Sequence, residues 1–305
     1  MNELPAESHM EAQPYPMRNL TLICLLLCSA VAAAQSTFPD HCPDGRALPF
    51  AAIQQKHPID QSCGIEGKAT SPPNSKTQNR VKNNFCASGR PETFTPQMLI
   101  DLQQNTAVPA GYQKEPSDRT ALDQLGEGKV VRMKAYLLEA HHADLGSGPD
   151  SGESVNCNNG TPPFNDIHIA LGPKPSTQEC ASVTAEISPH YRPATWDEIG
   201  NFEVYGGGKY TVNPGMASRL QGHPYRITGQ LFFDASHEPC PCGTTQCEPL
   251  RSSLWEIHPV YQVEVCKAGT SCDETNDADW LAFDTWWKSL APVQPVKAPH
   301  AHKKE

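Results

Sequence analysis

Five segments with the apolar periodicity of strands, interrupted once by a helical one, constrain this chain more than any other feature. Residues 129–140 form a long run rich in Val, Met, Tyr and Leu. Residues 166–171 alternate polar and apolar, and 181–188 alternate again, with Val183, Ala185 and Ile187 on one face. Two further strand-like runs cover 225–234 and 254–266. Between the third and fourth runs lies a short helical segment, 194–202, with Trp196 placed to anchor it. Gly229, inside the fourth run, marks a bend or a close backbone approach. Successive side chains of a strand point to opposite faces. Ile167, Ile169 and Leu171 therefore form one core-facing set, and Trp255, Ile257, Tyr261, Val263 and Val265 another.

The order β-β-β-α-β-β over residues 127–266 resembles the OB-fold, a five-stranded Greek-key barrel with a helix between its third and fourth strands. An SH3-like barrel is the structural rival, but it lacks a full helix at that position. The phrases Asp166-Ile-His-Ile and Trp255-Glu-Ile-His-Pro259 are also similar to ones in uncharacterised secreted bacterial proteins, a likeness that brings no known activity with it. The expected fold is mainly β. An OB-like barrel carries a small, loop-rich, Cys-containing region (35–126) before it and a C-terminal helix (267–291) after it. Within 35–126, one helix is expected at 78–85. Another starts at Thr95-Pro96, with Thr as cap and Pro at the first helical position, and carries Met98, Leu99 and Leu102 on one stripe. The C-terminal helix is expected to start at Asn276 or Asp277, with Trp280, Phe283, Trp287 and Leu290 on one face. The Pro-, Lys- and His-rich 292–305 is expected to be a disordered tail.

Residues 1–34 read as a leader and signal peptide. From Met17, the more natural start, a short positive region leads to the apolar run 20–31 and then to Ala32, Ala33 and Ala34, small residues at the cut. The run is too short for a membrane span, so no transmembrane segment is expected after cleavage, and the mature chain is expected to be periplasmic or secreted. Cleavage removes Cys24 and Cys28. It leaves Cys42, Cys63, Cys86, Cys157, Cys180, Cys240, Cys242, Cys247, Cys266 and Cys272, an even set that reads as disulfides. Cys157 is expected to bridge to Cys180, which would tether the loop 146–164 beside the strands. Zinc is the alternative for Cys240, Cys242 and Cys247 with His237 nearby, although paired ligand units are missing. Removing Glu3, Glu7, Glu11 and Arg18 takes the formal charge from −10 to −8, which disfavours nucleic acid as a partner.

Strand alternation also selects the candidate site. Asp166 and His168 share the face opposite Ile167 and Ile169. Glu186 lies opposite Val183 and Ile187, and Glu256 and His258 lie opposite Trp255 and Ile257. These five form one polar patch if their strands are neighbours. Tyr191 and Arg192 join them as ligand-binding candidates, because Arg forks onto oxyanions and Tyr stacks. His141 and His142, adjacent on a strand, point to opposite faces and do not readily meet one metal. Gly206-Gly207-Gly208-Lys209 lacks the spacing of a phosphate loop and reads as a turn. Neither HExxH nor GxSxG occurs, and nothing calls for a cofactor. The expected function is an exported binding or structural module of the periplasm or cell envelope, with a glycan, peptide or protein ligand. The alternative is a metal-assisted hydrolase or nuclease, which requires Asp166, His168, Glu186 and His258 to converge within metal-bonding reach.

Overall fold

The computed structural model describes residues 58–290, apart from 70–73, 86, 88, 112–113, 147–150 and 245–249. In chain order the elements are α1 (Ser75–Lys82), β1 (Glu92–Phe94), α2 (Pro96–Asn105), α3 (Thr120–Leu125), β2 (Val130–His142), β3 (Ile167–Gly172), β4 (Val183–Ile187), α4 (Asp197–Gly200), β5 (Glu203–Gly206), β6 (Lys209–Val212), α5 (Pro214–Leu220), β7 (Pro224–Phe233), β8 (Trp255–Cys266), β9 (Trp280–Ala282) and α6 (Phe283–Ser289).

Five of the strands close into a mixed barrel. Their order is β2-β3-β4-β8-β7, and β7 pairs back onto β2. The 13-residue length of β2 allows the closure, because its first half pairs with β7 (Val130↔Gln230 to Tyr136↔Pro224) and its second with β3 (Tyr136↔Gly172 to His142↔Ile167). All neighbours are antiparallel except β4 and β8, which run parallel and share a single registered pair, Ala185↔Ile257. Val131, Met133, Ile167, Ile169, Leu171, Val183, Ile187, Leu231, Trp255 and Ile257 fill the interior. Each such fully buried side chain contributes about 1.5–3 kcal/mol. Gly229 is a close approach, as its sequence position implies. A Cβ there would lie 2.4 Å from Ile257 Cγ2 and 2.5 Å from the Pro259 carbonyl oxygen.

Residues before the barrel share its core through Phe94, Leu99 and Leu122. Thr95 caps α2, its hydroxyl accepting from the Met98 amide, and Pro96 opens the helix. On that helix Leu99 is buried while Met98 is exposed. Three disulfides join described residues to one another: Cys63–Cys157, Cys180–Cys242 and Cys266–Cys272. Cys240 is disulfide-bonded as well.

Several expectations need correction. Cys157 bridges to Cys63 rather than Cys180, because the loop after β2 folds back over the N-terminal region. Bonding of Cys240 and Cys242 in disulfides removes the zinc alternative there. Tyr261 leaves the core set. Register shifts around Gly229 change the phase of β8, so that Val260 turns inward and the Tyr261 hydroxyl donates to the Asn84 carbonyl at 2.6 Å. The first helix spans 75–82 rather than 78–85, and 194–202 is a 3-10 turn followed by one α turn. The C-terminal helix begins only at Phe283, because Trp280 to Ala282 pair with β8 as β9. The Gly206–Lys209 turn joins the β5–β6 hairpin, with Gly207 and Gly208 at positive φ. No helix among the described residues is long and apolar enough to cross a membrane. The leader, Cys42, Cys86, Cys247 and the tail lie outside the described residues.

Candidate functional site

Alternation along β3, β4 and β8 places the five patch residues together on the outer face of the barrel. His168 stands opposite Glu186 in register. Glu186 is the hub: its Oε1 lies 3.2 Å from His168 Nε2, and its Oε2 lies 2.6 Å from His258 Nδ1. Asp166, Glu186 and His258 each bring a ligand atom within 4.8 Å of the others. The same holds for Glu153, His168 and Glu186, and for Glu186, Asp234 and Glu256.

This face is covered by the chain itself. Lys82, at the end of α1, is 4% exposed and places Nζ 3.3 Å from Glu186 Oε2 and 3.7 Å from Glu153 Oε1. Gln78 donates to Asp234 Oδ1 at 3.1 Å and accepts from the Ala235 amide at 2.9 Å. The loop carrying Glu153 is fastened by the Cys63–Cys157 disulfide and by the Lys68 amide donating to the Ser154 carbonyl at 2.8 Å. Arg251 bridges the lower edge, donating to Asp234 at 3.0 Å and to Glu256 at 2.9 Å.

The charges sort by neighbour. Burial opposes ionisation of Glu186, but His168, Lys82 and His258 hold its carboxyl well below the usual range. Burial likewise disfavours a charged His168, yet Glu186 and Glu153 raise it to about 10. Glu153, against burial, is lowered to about 2 by Lys82 and His168. Burial lowers His258 in spite of Glu186. Asp166 and Glu256 go the other way: burial first, then neighbouring carboxylates, pushes both well above the ordinary value.

Tyr191 and Arg192 lie apart from this arrangement. The Arg192 guanidinium donates to the Asn165 and Pro162 carbonyls at 2.7 and 2.9 Å and pairs with Asp197 at 2.7 Å, so its donors anchor the turn before β3. Tyr191 meets Tyr261 edge-on.

Beside the covered face opens a cavity of about 440 Å³. Its walls come from the end of β2 (Glu139, His141), from the loop between β2 and β3 (Asp144, Glu153), from Glu179, from the β5–β6 hairpin (Glu203, Tyr210) and from the loop between β7 and β8 (His237). His168 stands at its floor and ties it to the buried patch. His141 packs against Tyr210, the rings tilted with centroids 4.1 Å apart. His142, on the other face of β2, is buried against Gly200, and burial lowers it to about 4. Burial, then Glu179 and Glu203, raises Glu139 to about 8.

Sequence reasoning missed Lys82, Glu153, Asp234, Arg251 and most of the cavity wall. One signal was available, since Glu139 and His141 share a face of the β2 run. Comparison with family models, curated proteins and solved structures returned no match for this chain.

Proposed function

We propose that the chain is an exported module of the periplasm or cell envelope that binds its ligand on an OB-like barrel without transforming it. The strand order, the parallel contact of the third and fifth barrel strands, and helices between the third and fourth support the OB-like description. The disulfides support an oxidising compartment.

One observation carries the binding reading. OB barrels take ligands on the face of strands two and three and between the loops that follow strands one and four. Here α1 covers that face, while the cavity is lined from both of the corresponding loops, through Asp144, Glu153 and His237. Its acidic lining (Asp144, Glu153, Glu179 and Glu203, joined by Glu139 above about pH 8) repels phosphate and attracts cations. The Tyr210 ring supplies a surface for stacking. The chemistry suits a basic peptide segment or an amino-sugar oligomer among the glycan and peptide ligands of such modules.

Calorimetric titration with a short lysine peptide, a glucosamine oligomer and its N-acetylated form tests this. Binding of the cationic forms that weakens with salt and with Glu203→Gln supports the reading. Preference for an anionic or neutral form contradicts it. A metal-assisted hydrolase is the second reading, favoured by the Glu153, His168 and Glu186 triplet, of which Glu153 and His168 line the cavity.

A further inference from the structure

Asp166 is fully buried, and neither of its carboxylate oxygens meets a hydrogen-bond donor among the described residues. An unmet buried polar group costs its full desolvation penalty, and more when charged. Around Glu186 the imbalance is wider. Five carboxylates (Glu153, Asp166, Glu186, Asp234, Glu256) face two permanent cations, Lys82 and Arg251. Three negative charges are left to be met by protons or by a metal ion. A divalent cation meets two of them.

The donors are placed for such an ion. Ligand atoms of Asp166, Glu186 and His258 lie within 4.8 Å of one another. That is close to the width of one coordination sphere, whose bonds are about 2.0–2.2 Å. Two carboxylates with one imidazole suit Zn²⁺ or Mn²⁺. We propose that Asp166, Glu186 and His258 hold a divalent transition cation in a closed, structural site under the α1 cover. The ion takes the place of the proton shared across the Glu186–His258 contact. It bonds the Asp166 oxygens, whose side-chain neighbour is otherwise another carboxyl, that of Glu153. It also ties β4 to β8 where the barrel has a single registered pair. All three side chains are at most 1% exposed, so the ion has no open position toward the cavity and serves the fold rather than a reaction.

The test uses the full chain purified without chelator. Elemental analysis should find about one equivalent of Zn²⁺ or Mn²⁺. EDTA should lower Tm, and re-addition of the metal should restore it. Asp166→Asn, which keeps the shape and removes the charge, should carry no metal and melt identically with and without EDTA. Glu153→Gln, at the cavity edge, should keep the ion, and loss of metal in this variant overturns the ligand set. A metal-free wild-type chain whose Tm ignores EDTA and added Zn²⁺ or Mn²⁺ overturns the proposal, whether or not Asp166→Asn folds. No cavity ligand enters these measurements, so their outcome is independent of the binding function.

Discussion

Lys82 Nζ lies 3.3 Å from Glu186 Oε2, so a helix from the N-terminal region supplies the counter-charge for a carboxylate on the third strand of the barrel. Both side chains are buried. Lys82→Met should therefore strand Glu186 and Glu153 and cost about 3–5 kcal/mol, the usual penalty for half of a buried pair. Urea denaturation measures it. Adding Glu186→Gln to Lys82→Met should recover part of the loss, because the uncompensated charge is then gone.

The Cys63–Cys157 bond, with a sequence separation of 94, holds the loop of Glu153 over the same face. Replacing both cysteines with serine should lower stability by about 2–4 kcal/mol. Hydrogen exchange should rise first in residues 151–160, ahead of the barrel strands, if the loop depends on this staple.

Glu139 contributes stability that is lost as pH rises from about 4.5 to about 8. Its carboxyl titrates near 4.5 when free and near 8 in the fold, so the folded state holds an extra proton within that window. Glu153 acts in the opposite sense. Its carboxyl is lowered to about 2, so its contribution is complete above 4.5 and is lost as pH falls toward 2. Glu139→Gln should flatten the upper slope and leave the lower one. Thermal melts across pH 2–9 read both.

Tyr210 packs on His141, and its hydroxyl donates to the His142 carbonyl, which fixes the β5–β6 hairpin over the cavity. Tyr210→Ala should weaken binding of a cationic ligand at least tenfold while changing Tm little, since the hairpin is outside the barrel core. Equal affinity in the variant would place the ligand elsewhere.

Much of this was legible in the chain because strand alternation is a local property. All five barrel strands, and the shared face of Asp166, His168, Glu186, Glu256 and His258, follow from period two. What covers that face was not legible, because Lys82, Glu153 and Asp234 arrive from separate parts of the chain and nothing local ties them to Glu186. The pairing of Cys63 with Cys157 is non-local in the same way. Tyr261 departs from strict alternation because a register shift next to Gly229 breaks the period of two along β8. The β5–β6 hairpin was visible only as its glycine turn. Trp280 fits a helical stripe by spacing, yet it pairs along β8 in β9.

The central claim is that the N-terminal region buries Glu186 and His258 on the polar face of the barrel and that the ligand site is the cavity beside them. Diethyl pyrocarbonate labelling of the native chain, read residue by residue by mass spectrometry, tests it most directly. The His258 side chain is 1% exposed and that of His237, at the cavity wall, is 35% exposed. His237 should label under native conditions, and His258 only after unfolding. Labelling of His258 at the rate of His237 in the native chain would contradict the claim.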